Sequence, residues 1–209
     1  MTLQERRERQ RTAKSADRVA DARWHQILAG AAEVFRAKGY AQSSLRDVAE
    51  AVGIDRASLY YYVSSKEDLV VELVRGPLTD IEKRINAILS TPDSPEEMLR
   101  KAIVSHLESY EAGWPESFVF LSLNIDELGK SVNDFAELAK RYHAALLRII
   151  VDGQSAGAFR SDVDASVVMH GILGMCNWVH RWYRPGGRNT LGEIGQMFAS
   201  MIIDGVRIQ

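Results

Sequence analysis

SSLRDVAEAVGIDRASLYYYVSSK, residues 43–66, is the stretch that decides the fold. Leu45, Val48, Ala49 and Val52 fall at i, i+3, i+4 and i+7 and make one apolar face of a short helix. Ser44 and Asp47 are spaced as a capping box at its start. Gly53 can take the left-handed backbone that a sharp turn needs, and Asp55 can cap a second short helix anchored by Leu59 and Val63. Two short helices, a glycine turn and the small Ala49 where they must approach closely predict a helix-turn-helix.

With Leu59 and Val63 inward on a 3.6-residue wheel, Ala57 and Tyr61 point most directly outward, Ser58 and Tyr60 lie beside them, and Arg56 and Tyr62 fall at the margin. The tyrosines alone would also suit core packing. Three in a row, however, spread over about 200° of the helix, so at least one must face outward. Such a face suits a DNA groove: Arg56 for guanine or phosphate, Ser58 and the tyrosine hydroxyls for phosphates, Ala57 for a thymine methyl, and Lys66 as a phosphate clamp.

These residues resemble the N-terminal domain of the TetR/AcrR family of bacterial transcriptional regulators. The resemblance runs over about residues 22–75, through Phe35-Arg36-Ala37-Lys38-Gly39-Tyr40, Ser43 to Ala49, Gly53-Ile54, Ser58 to Tyr62 and Ser65-Lys66-Glu67-Asp68-Leu69. It implies an all-α regulator in which Ser44, Arg46, Arg56, Ala57, Ser58, Tyr60, Tyr61, Tyr62 and Lys66 meet double-stranded operator DNA.

The remainder of the 209 residues fits that frame. A net charge of −2 excludes a uniformly basic DNA-coating protein, yet residues 1–70 carry 12 Lys/Arg against 10 Asp/Glu, whereas residues 71–209 carry 14 against 18. Residues 1–18, with Arg6, Arg7, Arg9, Arg11, Lys14 and Arg18 and no apolar stripe, are expected to be a flexible basic arm that reaches DNA or is merely solvated. Residues 19–70 form the expected DNA-binding domain and 71–209 a ligand-binding and dimerisation domain. The longest nearly apolar run, Val167 to Val179, is too short for a bilayer, and no signal-peptide pattern opens the chain. The single Cys176 fits a reducing compartment, so a cytoplasmic bacterial protein with no membrane partner is expected.

No segment alternates like a strand, and apolar periodicity predicts about nine helices. A first helix from about Ala20 to Lys38 completes the DNA-binding core. A fourth starts at Ser64 or Ser65, and Gly76-Pro77 is expected to kink or break it. Ser94-Pro95-Glu96-Glu97 opens a fifth carrying His106 and Tyr110; Phe118 to Leu128 mark a sixth; a seventh follows Ser131 and runs to a turn at Gly153 to Asp164. An eighth extends to about Tyr183, and Thr190-Leu191-Gly192-Glu193 caps the ninth.

The last two helices are apolar around most of their circumference and carry Gly171, Gly174, Gly195 and Gly205. They are expected to form a four-helix dimer interface, as the family resemblance also implies, or else to complete the monomer core. A two-fold dimer would require a roughly palindromic operator, with half-sites about 34 Å apart or a multiple of a helical turn. His106, Tyr110, Trp114, Phe118, Met175, Trp178 and Trp182 supply surface for an apolar inducer pocket, although each singly also suits plain packing. Gly157 to Asp162 and Asn177 to Gly187 resemble the subset of the family that responds to acyl-CoA thioesters. Arg181, Arg184 or Arg188 would then meet the CoA phosphates, and an apolar molecule without CoA is the competing ligand.

No cofactor and no metal site is expected. His25, His106, His143, His170 and His180 form no metal-spaced cluster, and neither a phosphate loop nor a nucleophile–base pair is evident, so an enzyme is disfavoured. A helical scaffold without DNA binding would account for the bundle and leave the tyrosine run and the basic arm without a purpose.

Overall fold

A computed structural model of the chain describes residues 3–112 and 132–208. Among these there are eight α-helices and one 3-10 turn: α1 (Leu3–Lys38), α2 (Leu45–Val52), α3 (Arg56–Tyr62), α4 (Lys66–Leu89), α5 (Pro95–Ala112), α6 (Val132–Ser155), α7 (Ala165–Asn177), the 3-10 turn Trp178–Arg181, and α8 (Leu191–Val206). The described residues contain no strand, only an isolated bridge between Phe159 and Arg207. The chain divides into two units, Met1–Leu73 and Val74–Gln209.

In the first unit, Ile27, Ala31 and Phe35 of α1 are buried with Leu45, Val48 and Ala49 of α2, Leu59 of α3 and Leu69, Val70 and Leu73 of α4. The capping box of α2 forms as the spacing predicts, Ser44 N–H donating to Asp47 Oδ2 at 2.8 Å and Asp47 N–H to Ser44 Oγ at 3.3 Å. Gly53 closes α2 at φ 68°, in the left-handed region where a side chain is strained. Gly30 lets α1 and α2 meet: a Cβ there would stand 2.4 Å from Val52 Cγ2.

Three boundaries differ from the sequence reading. Helix α1 begins at Leu3, not near Ala20, so most of residues 1–18 is helical where a flexible arm is expected. Helix α4 runs unbroken through Gly76-Pro77. Pro77 merely withholds one N–H from the turn below, and Thr79 Oγ1 adds a bond to the Arg75 carbonyl at 2.8 Å. The eighth predicted helix stops at Asn177 and tightens into the 3-10 turn instead of continuing to Tyr183. The helix expected over Phe118 to Leu128 lies outside the described residues.

The second unit is built on Leu99, Ile103 and Leu107 of α5, Leu146, Ile149 and Ile150 of α6, Ile172, Leu173 and Cys176 of α7, and Leu191, Ile194 and Ile203 of α8. Pro95 opens α5, with Glu97 N–H donating to Ser94 Oγ at 3.3 Å, and Thr190 with Glu193 makes the predicted capping box of α8. Gly195 brings α8 against α5, since a Cβ there would lie 2.9 Å from Val104 Cα. No described helix is long and apolar enough to cross a membrane.

Candidate functional site

Helix α3 divides as the wheel predicts. Leu59 is wholly buried and Val63 nearly so, whereas Arg56, Ala57 and Ser58 are exposed, Tyr60 is 43% exposed and Tyr61 is 87% exposed. Asp55 caps the helix, accepting from Ser58 N–H at 2.8 Å and from Ser58 Oγ at 2.7 Å, and these bonds hold its carboxyl below the usual carboxylate range. Arg56 Nη2 donates to the Tyr60 hydroxyl at 2.9 Å and its guanidinium lies 5.2 Å from that ring.

Beside this face is an open depression of about 500 Å³, lined among others by Ser44, Arg46, Arg56, Tyr60, Ser64 and Lys66. Arg46 is exposed on α2. Asp47, which caps α2, is held at about 2 by the Lys38 ammonium at 2.6 Å and by the Ser44 hydroxyl and N–H.

Two residues assigned to DNA also have partners within the protein. Tyr62 is half-buried and stacks on Trp24 of α1, with ring centroids 5.9 Å apart. Lys66 Nζ donates to the backbone carbonyls of Tyr40 at 2.8 Å and Ser43 at 3.0 Å, and lies 4.1 Å from the Tyr40 ring centroid. Proximity in sequence places Lys66 beside the recognition helix; only the fold reveals the two carbonyls that receive it.

The ligand residues separate into two groups. His106 and Tyr110, one turn apart on α5, are buried with Tyr142 of α6 and reach Asn177 at the end of α7. His106 Nδ1 is 2.7 Å from the Tyr142 hydroxyl and Nε2 is 2.6 Å from that of Tyr110, which donates to Asn177 Oδ1 at 2.6 Å. Tyr142 and Asn177 complete this cluster. The only sequence signal for Asn177 is a polar side chain within the apolar run. Burial lowers the His106 pKa to about 4, against the hydrogen bond with Asn177, and raises the Tyr110, Tyr142 and Cys176 groups.

Trp178 and Trp182 are 59% and 48% exposed, and Arg181, also exposed, lies over Trp178 at 5.4 Å. They are exposed, whereas His106 is buried. Met175 is half-buried, and Trp114 and Phe118 fall outside the described residues. Val167, Met197 and Met201 are also exposed, so α7 and α8 each bury one face and leave another apolar face uncovered. No described group of His, Cys, Asp and Glu is suited to hold a metal.

A capped pair of short helices with an outward polar and aromatic face, set ahead of a separate helical unit, defines a helix-turn-helix regulator. Residues 27–73 match the model for bacterial regulatory proteins of the tetR family, and residues 92–206 match the tetracyclin repressor-like C-terminal domain. The chain belongs to the TetR family. Its class is therefore that of non-enzymatic, DNA-binding transcriptional regulators, which dimerise and bind small molecules.

The chain is 29% identical over 199 residues to the HTH-type transcriptional repressor KstR2 of Mycobacterium tuberculosis, a match spanning 91% of this chain and 97% of that one. The solved structure of that ketosteroid regulator aligns with a TM-score of 0.82 at 28% identity, over 90% and 96% of the two chains. PfmR of Thermus thermophilus aligns at 0.78 and 30% identity, over 85% and 97%. AibR, solved with isovaleryl coenzyme A and operator DNA, aligns at 0.73 and 25% identity, over 86% and 97%.

Proposed function

We propose that the protein is a dimeric repressor, acting in the bacterial cytoplasm, that leaves a roughly palindromic operator when an acyl-CoA binds its C-terminal unit. The observation that carries the DNA half is the outward face of α3, where Tyr61 is 87% exposed while Leu59, two residues earlier, is buried. Arg46, Arg56, Tyr60 and Tyr61 meet the duplex, with Ser44, Ala57 and Ser58 close to the bases. Helices α7 and α8 pair with those of a second copy through Val167, Trp178, Met197 and Met201.

The acyl-CoA reading draws on AibR, whose solved complex holds isovaleryl coenzyme A, and on the exposed Trp178-Arg181-Trp182 cluster with Arg184 and Arg188 nearby in sequence. An aromatic and cationic surface suits an adenine and its phosphates. His106, Tyr110, Tyr142 and Asn177 satisfy one another, so the acyl part must offer a carbonyl in exchange for those bonds. A shift of α4, the one helix that runs from residue 66 to 89, would carry the response.

The test is binding of the purified protein at fixed salt to the DNA flanking its own gene, with and without long-chain and steroid-derived acyl-CoAs. Specific binding abolished by one thioester and untouched by the free acid is the expected result. Binding that no thioester disturbs removes the CoA reading alone; binding no tighter than to random DNA removes the operator reading and favours a scaffold.

A further inference from the structure

The polar cluster of the second unit has a fixed proton order. The Tyr110 hydroxyl gives its proton to Asn177 Oδ1 at 2.6 Å, so toward His106 it only accepts, and Nε2 carries the ring hydrogen. The 3.1 Å approach of Nε2 to Asn177 Oδ1 requires the same hydrogen, because that oxygen has none to give. Burial keeps the ring neutral, which leaves Nδ1 bare to accept from the Tyr142 hydroxyl at 2.7 Å. Protons thus run from Tyr142 through His106 and Tyr110 to Asn177. Each hydrogen of the chain has an acceptor except the pair on Asn177 Nδ2, for which the described residues provide none.

Asn177 is half-buried at the last position of α7, where the buried cluster meets the surface. The next residue is the exposed Trp178, with Arg181 5.4 Å from its ring, and the Asn177 backbone carbonyl accepts from His180 Nδ1 at 2.6 Å. The residue is therefore held on both sides while its amino group stays uncommitted. We infer that Asn177 is the carbonyl-reading residue of the C-terminal unit: its amide N–H groups donate to the thioester oxygen of an acyl-CoA whose nucleotide lies on Trp178 and Arg181. The inference rests on the acyl-CoA reading and names the group that selects within it. A free carboxylate gains little at this place. None of the four clustered side chains carries a charge, and the hydroxyl proton beside Asn177 is already given away, so the anion would shed its water for a single neutral amide. The uncharged thioester sheds far less.

Octanoyl-CoA and S-octyl-CoA, a thioether that differs only in lacking the carbonyl oxygen, are titrated calorimetrically against the parent, Asn177→Leu and Asn177→Asp, each checked for helicity. The parent is expected to bind the thioester at least ~10-fold more tightly than the thioether, the worth of one buried hydrogen bond. Both variants are expected to lose that preference and to bind the two probes within ~2-fold of one another. Asn177→Asp keeps an acceptor for Tyr110 and His106, so it carries the test should Asn177→Leu not fold. Nitrogen NMR of the unliganded parent is expected to place the His106 hydrogen on Nε2. A parent that binds the two probes alike overturns the inference, as do variants that keep the parent's preference, or a His106 hydrogen on Nδ1, which would reverse the chain. A parent that binds neither probe removes the acyl-CoA reading, and the inference with it.

Discussion

Trp24 of α1 lies flat against Tyr62 at the end of α3, with ring centroids 5.9 Å apart and planes 10° from parallel, and Tyr61 meets Tyr62 edge-on at 5.5 Å. The three rings form a chain from the first helix to the exposed Tyr61 of α3. Trp24→Ala removes the base of that chain and is expected to destabilise the N-terminal unit by about 1–3 kcal/mol, read from urea unfolding. Tyr61→Ala is expected to leave stability within ~0.5 kcal/mol and to weaken specific DNA binding by about 1–3 kcal/mol. Equal melting of Trp24→Ala and the parent would show that the stack contributes nothing.

Gly153 lies beneath Phe159, a fully buried ring, and a Cβ at that position would stand 2.3 Å from Phe159 Cδ2 and 3.0 Å from Pro95 Cβ. Gly153→Ala is expected to overpack the second unit and cost about 1–3 kcal/mol, although alanine is the better helix former. A melting temperature at or above the parent's would mean that the Phe159 ring gives way freely.

His106 makes stability depend on pH. Burial depresses its pKa to about 4, while the unfolded imidazole titrates near 6.5. Between these values the unfolded chain binds a proton that the folded chain does not. Its contribution is therefore complete above pH 6.5 and declines as the pH falls toward 4, by roughly 3 kcal/mol in all. Urea midpoints measured from pH 7 to 4.5 should fall accordingly, and His106→Leu should flatten that dependence while lowering stability throughout, since the Tyr142 and Tyr110 hydroxyls each lose their bond to the imidazole.

Val167 and Met201, 70% and 64% exposed, stand on the uncovered faces of α7 and α8. Val167→Glu with Met201→Glu should give a monomer by sedimentation with unchanged helicity, and DNA affinity should drop by at least ~100-fold because one half-site must then hold alone. A double variant that still sediments as a dimer would move the interface elsewhere.

Local chemistry was the part of this chain that could be read directly. The caps Ser44, Asp55 and Thr190, the turn at Gly53, and the buried Leu59 against the open Tyr61 all follow from spacing within a few residues. Features that depend on distant partners were not readable. Nothing near Lys66 announces the Tyr40 and Ser43 carbonyls, and nothing near Tyr62 announces Trp24, 38 positions earlier. Pro77 misleads for a different reason. Proline removes one hydrogen bond, and a 24-residue helix has enough others to run through it. Composition groups the ligand residues but cannot tell that Trp178 and Trp182 stay at the surface while His106 and Tyr110 turn inward.

The cap at Asp55 bears on how Ser58 would meet a base pair in the proposed complex. Its hydroxyl proton is committed to the Asp55 carboxylate, so the oxygen offers only lone pairs to anything outside, and Ser44 is in the same position through Asp47. Phosphate oxygens, which carry no protons, are poor company for such groups. The amino hydrogens of adenine and cytosine are good company. Tyr60, whose oxygen receives Arg56, keeps its own proton to give. If this face meets the operator as proposed, Ser44 and Ser58 would accept from amino-bearing base edges and Tyr60 would donate to the sugar-phosphate strand.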